Sequence, residues 1–454
     1  MTQLADVERE ARPIARDDVR AFLRSALDAP RVGPLAVSMP SPTGRPRALL
    51  ERTRRGHAFH LHDERRVLTT LGATRLHRAT GSERFENAAL AFDAARSALR
   101  SRSHERAPNA DAVWTFGFAF APGRARDSWA PLGDGLLTLP RWAHRVESGR
   151  ATLTLVVDRD EPSGSALPLA ELDAIWDALE SNALPTPSAS DVRVRHVALD
   201  RWSRSVGDVG ARISAGQLRK VVVARRSAIT SDRDLDPVRM LARLERPGAI
   251  RFCVRQGGAA FVGATPERLF RKRGRHVRTE ALAGTASLEL DPEGRRLLAS
   301  AKDRHEHRLV VDGIAESLAG LHGEVSIGAM ALRTIGSVAH LATPIEAHLG
   351  SSTSAFDLLA ALHPTPAVGG VPRSVALDWI AEHEPDRGWY AGPIGWIDAN
   401  GDADAVVALR SALVVGARAY AYAGAGIVEG SDPEAEYAET TLKLAPMLAA
   451  IGAA

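Results

Sequence analysis

Three β-rich stretches follow one another near the C-terminal end with no room for helices between them: "GPIGWID" (392–398), "DAVVALRSALVV" (404–415) and "RAYAYAGAG" (418–426). A parallel pair needs a crossover of a dozen or more residues, so strands spaced this closely pair antiparallel. "AIRFCV" (249–254) and "AAFVGA" (259–264) repeat the pattern upstream. Helical blocks stand apart from these runs, around 295–320, around 354–383, and from "DPEAEYAETTLKLAPMLAA" (432–450). Runs of strands separated by helices predict an α+β fold with large antiparallel sheets flanked by helices, not a βαβ alternation.

The remaining segments fill in the plan. "ENAALAFDAARSALR" (86–100) and "LAELDAIWDALESN" (169–182) read as amphipathic helices, and "ATLTLVV" (151–157) as a strand. "ALPTPSAS" (183–190) is the best linker candidate. Beyond it, "RKVVVARRSAIT" (219–230) is a strand of β-branched residues, and "DPVRMLARLE" (236–245) opens a helix with an Asp cap and Pro in the first turn. Chemistry concentrates after residue 195. The chain is therefore divided into residues 1–195, a variable part of the same scaffold, and residues 196–454, the catalytic region.

Composition narrows the function. The chain has 454 residues, 45% hydrophobic and 25% charged, as expected of a globular protein. Neither a secretory signal nor an apolar run of about 18 residues is present, so a cytoplasmic protein without membrane attachment is expected. Cys253 is the only cysteine, which excludes an internal disulfide and a cysteine-based zinc cage. The net charge is only +3 despite a pI near 9.3, and aromatic residues make up 5%. Scattered arginines without interleaved aromatics argue against nucleic-acid binding. Among 58 basic residues only four are lysines: Lys220, Lys272, Lys302 and Lys443. Lysine is a point charge that can lose its proton when desolvated, whereas arginine effectively cannot, so the surviving lysines mark candidate chemistry.

"KDRHEHRLV" (302–310) offers three possible metal ligands in a row. On a helix His305 and His307 point in roughly opposite directions and cannot grip one ion. Glu306 shares a face with Lys302, where the ordinary outcome is a solvated i,i+4 ion pair. In "DPEAEYAETTLKL", Glu436, Glu439 and Lys443 fall on one face of a second helix, which is equally compatible with a surface stripe. One carboxylate from each helix, completed by water and substrate oxygens, would suit magnesium.

Taken together and in this order, "KVVVARR", "GATPERLF", "ALAGTA", "KDRHEHRLV", "AHLATP", "HPTPAVGGVP", "GPIGW", "VVALRSALV" and "GAGIVEGSDPEAEYAETTLKL" resemble the chorismate-utilising enzymes, most closely the isochorismate synthases. The resemblance covers about residues 200–450. It implies the anthranilate synthase component I-like fold, with the active site in a central cleft. It also implies Mg²⁺-dependent, reversible conversion of chorismate to isochorismate, by water attack at C2 with loss of the C4 hydroxyl. Such a product feeds menaquinone, siderophore or salicylate biosynthesis.

By this resemblance Glu306 and Glu439 hold the Mg²⁺, with Glu436 close by. Lys220 is the general base, a role that needs burial or nearby cations to bring its pKa toward neutrality. Glu267 is the general acid for the departing hydroxyl and needs a raised pKa. Arg410, in a strand between apolar residues, would clamp the enolpyruvyl carboxylate, assisted by Lys443; the competing reading is an internal salt bridge. Gly284 and Thr285, and Gly424 and Gly426, would let backbone N–H groups approach substrate carboxylates. His340 would lie by the substrate hydroxyl or the ring carboxylate. A lysine base favours water over ammonia, so no amidotransferase subunit is expected, and the chain is expected to act as a monomer. The alternatives are a salicylate synthase, which goes on to eliminate pyruvate, and a non-catalytic arginine-rich binding protein on the same fold.

Overall fold

The computed structural model describes residues 15–29, 33–53, 56–107, 111–158, 165–181, 191–336 and 338–453. The expected linker at 183–190 lies outside the described residues. Two large sheets, of 13 and 10 strands, form the frame. All but one of their strand pairings are antiparallel, the exception being Leu35–Pro40 with Arg100–Ser103. Each sheet joins a block of early strands to a block of late ones through a single strand pair. In the larger sheet Ile250–Gln256 pairs with Ala58–His62. In the smaller sheet Pro393–Asp398 pairs with Val113–Phe118. A continuous core cluster crosses both joins, with Phe59, Trp114, Phe116, Phe252, Phe261 and Phe356 buried together.

Helix starts follow their caps. Asp236 accepts from the Val238 and Arg239 backbones, Ser300 from Asp303, and Asp432 from Ala435. The block around 354–383 is two helices, Ala355–Leu362 and Arg373–His383, parted by the "HPTPAVGGVP" loop. Gly370 and Val371 of that loop pair with Val221 and Lys220. The helix Ala301–Ala319 packs on the strand His276–Ser287, and the helix Pro433–Ile451 on Arg418–Ile427.

"DAVVALRSALVV" is not one strand. Ala403–Val407 belongs to the smaller sheet and Ser411–Val415 to the larger one. Beside them, Ala259–Thr265 of the larger sheet runs into Arg268–Arg273 of the smaller. The two chain segments cross between the sheets together. Arg410, expected within a strand, sits at this crossing with φ of 49°. The alternation gave no sign of the break because the residues on both sides of it are buried.

Candidate active site

The crossing places two of the expected residues at the wall of one open cavity. Glu267 follows Thr265 and Pro266 on one crossing segment, and Arg410 lies on the other. The Thr265 hydroxyl donates to the Val407 carbonyl at 2.6 Å and accepts from the Glu267 N–H at 3.2 Å. The Val407 N–H returns a bond to the Glu267 carbonyl at 3.1 Å. Backbone pairing thus fixes where the Glu267 carboxyl emerges.

Glu267 is buried, and desolvation, reinforced by the charge of Glu280, raises its pKa to about 8, with Lys220 and Lys443 opposing. Its carboxyl is therefore protonated at neutral pH and able to donate. Burial lowers the Arg410 guanidinium to about 10, with Tyr390 and Glu439 opposing, so it stays charged. Among the described residues no carboxylate forms an ion pair with Arg410. The competing reading of an internal salt bridge has no partner there.

The smaller sheet supplies Gly284, Thr285 and His340. The register slips between Ala283 and Ala286, and Gly284 takes a φ of 72° in the resulting bulge. A β-carbon on Gly284 would come within 3.2 Å of the Asp303 side chain, so glycine lets the start of the Glu306 helix lie close. His340 Nδ1 is 3.0 Å from the Gly284 carbonyl and 3.2 Å from the Thr285 hydroxyl. A carbonyl only accepts, so Nδ1 carries the hydrogen and Nε2 is an acceptor, buried and without a protein partner. Desolvation, with Arg410 next, lowers this ring to about 3. A neutral ring presenting a lone pair suits a hydroxyl better than a carboxylate, of the two partners considered.

The larger sheet and its helix supply the rest. Gly424, Gly426, Glu439 and Lys443 line the same cavity, as does Glu306. Lys443 donates to the Gly424 carbonyl at 2.9 Å and pairs with Glu439 at 2.5 Å. Burial alone would raise the pKa of Glu439, but Lys443, Lys302 and Arg410 together hold it low. Lys220 is wholly buried and lies behind the wall, its ammonium 2.9 Å from Glu306 Oε1. Gly426 makes that pair possible: a β-carbon there would sit 2.0 Å from Glu306 Oε1 and 2.9 Å from the Lys220 side chain. The solvated Lys302–Glu306 pair does not form, because Lys302 bonds Glu436 on the other helix instead.

His305 is exposed, and His307 turns away to bond the Thr343 hydroxyl at 2.8 Å. The run "HEH" thus offers the cavity one carboxylate and no imidazole. Among the described residues no three His, Cys, Asp or Glu side chains form a ready-made cage. Glu306 and Glu439, which both line the cavity, are hard oxygen donors, and an ion shared between them would take its other oxygens from water and ligand. That donor set fits magnesium. Sequence reasoning missed Tyr390, which also lines the cavity and stacks on Tyr422 at 5.1 Å and 15°. Its one signal was a tyrosine hydroxyl inside the apolar run "WYAGPIGW", where an unpartnered polar group is costly.

The chain matches the sequence profile of the chorismate binding enzymes over residues 25–452. It is 46% identical over 352 residues to the salicylate biosynthesis isochorismate synthase of Pseudomonas aeruginosa, 74% of each chain. It is 36% identical over 355 residues to the isochorismate synthase MenF of Bacillus subtilis, again 74% of each. The solved structure of MenF, the menaquinone-specific isochorismate synthase from Escherichia coli, superposes with a TM-score of 0.79 at 26% identity. That superposition covers 95% of this chain and 99% of the other.

Proposed function

This chain belongs to the chorismate binding enzymes, and from that premise we propose that it is an isochorismate synthase that hydrates chorismate at C2 and expels the C4 hydroxyl. The observation that carries the chemistry is one cavity holding both a guanidinium with no ion-pair partner among the described residues, Arg410, and a protonated carboxyl, Glu267. The first suits a substrate carboxylate and the second a departing hydroxyl, which cannot leave readily without a proton.

In this reading Arg410, with Lys443 and Tyr390 nearby, anchors the enolpyruvyl carboxylate. His340 Nε2 accepts from a substrate hydroxyl and orients the ring. Glu267 gives its proton to the C4 oxygen as the C4–O bond breaks. Lys220, as the neutral amine, takes a proton from the water whose oxygen bonds to C2. Microscopic reversibility then makes Glu267 the base and Lys220 the acid for the return reaction. Magnesium, held by Glu306 and Glu439 with Glu436 close by, would supply positive charge at the ring carboxylate. Gly284 and Gly426 let flanking side chains pack closely here, and Gly424 is fixed through its carbonyl by Lys443.

No described helix is long and apolar enough to cross a membrane. We place the enzyme in the cytoplasm, acting as a monomer without an amidotransferase partner.

The test is incubation with chorismate and Mg²⁺, followed by chromatography. Isochorismate as sole product is the expected result. Salicylate plus pyruvate would assign the salicylate synthase reaction instead. Folded protein that binds chorismate yet turns nothing over would leave only the binding role.

A further inference from the structure

Glu306, Glu439 and Glu436 are each already engaged by a lysine. Lys220 holds Glu306, Lys443 holds Glu439, and Lys302 holds Glu436. Lys443 lines the cavity and Lys220 stands behind its wall against Glu306, whereas Lys302 neither lines the cavity nor pairs with a residue that does. Its ammonium reaches from the helix Ala301–Ala319 to the helix Pro433–Ile451, where it grips a carboxylate that is only 2% exposed. Such a carboxylate is costly to leave unpaired. The Lys302 side chain itself keeps 32% of its surface in solvent. One partly solvated cation therefore holds a buried carboxylate that stands on the same helix face as Glu439.

We propose that Lys302 is a resident counter-ion, which occupies this carboxylate cluster in the metal-free protein and withdraws toward solvent when a divalent cation enters. The inference rests on the reading of Glu306, Glu439 and Glu436 as the metal-binding cluster. It makes Lys302 a positioning residue. In the metal-free protein it keeps Glu436 in place across the gap between the helices, and it lowers the affinity for a cation arriving alone. Substrate then contributes the further oxygens that tip the competition toward the metal.

The experiment is direct binding of Mn²⁺ alone to the full-length protein, counting free Mn²⁺ by electron paramagnetic resonance. Lys302→Met, which keeps the aliphatic stem, and Lys302→Gln, which keeps a hydrogen bond to Glu436, should both bind Mn²⁺ at least about tenfold more tightly than the parent protein. Lys302→Arg, which keeps the charge, should stay near the parent value. The metal-free Met variant should melt at a lower temperature and recover with Mn²⁺, which loss of packing alone would not produce. Equal or weaker Mn²⁺ affinity in both neutral variants overturns the role of Lys302 and leaves the metal reading standing. No Mn²⁺ binding by any of the proteins, with or without chorismate, overturns the metal reading itself.

Discussion

Gly426 shows how much of this site depends on the absence of a single methyl group. The Lys220–Glu306 pair lies directly against its α-carbon, and a methyl group there would meet Glu306 Oε1 at 2.0 Å and the Lys220 side chain at 2.9 Å, so both must shift. Gly426→Ala is therefore expected to displace both charged groups. Since an ångström of misplacement can cost about a hundredfold in rate, kcat should fall by that order while the fold persists by circular dichroism. Retention of kcat within a factor of about three would separate the pair from catalysis. Glu267 makes the complementary case through its proton. Its folded value of about 8 lies above the ordinary 4.5, so the folded chain holds this proton more tightly than the unfolded one. The stability it contributes is complete below pH 4.5 and is lost as pH rises through about 8. The rate should decline along the same arm, roughly tenfold per unit once the donor is ionised. Glu267→Gln should abolish turnover and flatten the alkaline loss of stability in melts from pH 6 to 9. A rate that stays level to pH 10 would show that the donor is another group.

At the scale of elements, the double crossing between the sheets is what brings acid and guanidinium together. Thr265 pins it, donating to Val407 and accepting from Glu267 in the same turn. Thr265→Val keeps the shape but leaves the Val407 carbonyl and the Glu267 N–H without these bonds. We expect a loss of roughly 1–3 kcal/mol in denaturant unfolding, together with a lower kcat at little-changed KM. Lower stability with kcat intact would mean that the crossing does not position the acid. This junction also marks where sequence reasoning stopped. The strand "RKVVVARRSAIT", the cap at Asp236 and the helix carrying Glu306 were legible, because periodicity and capping are local. The break at 408–410 was not, since apolar residues continue unchanged from one buried sheet into the other. The partner of Lys302 was hidden for a related reason. Helical spacing puts Glu306 within reach, but a carboxylate 134 residues further on competes successfully, and no local pattern encodes that approach.

The whole molecule is bound by the same logic, because both sheets run through the join between early and late strands. Arg251–Arg255 pairs with Ala58–His62 in one sheet, and Ile394–Asp398 with Val113–Gly117 in the other. Aromatic residues from both sides then share the core: Phe92 and Phe116 lie against Phe356, and Trp129 against Phe261 and Tyr422. Catalytic candidates occur only after residue 195, yet Ile250–Gln256 and Pro393–Asp398 of the sheets that carry them would be left as unpaired edges without the earlier block. Exposed edges and a halved core are both costly, and the former invite association with other chains. The full chain is accordingly expected to unfold in one transition, with near-ultraviolet and far-ultraviolet circular dichroism giving coincident midpoints in urea. Residues 196–454 expressed alone should be insoluble, or should lack a cooperative transition. Two separated transitions in the full chain, or a cooperative and active 196–454 fragment, would mean that the early strands decorate the catalytic region and do not hold its cavity open.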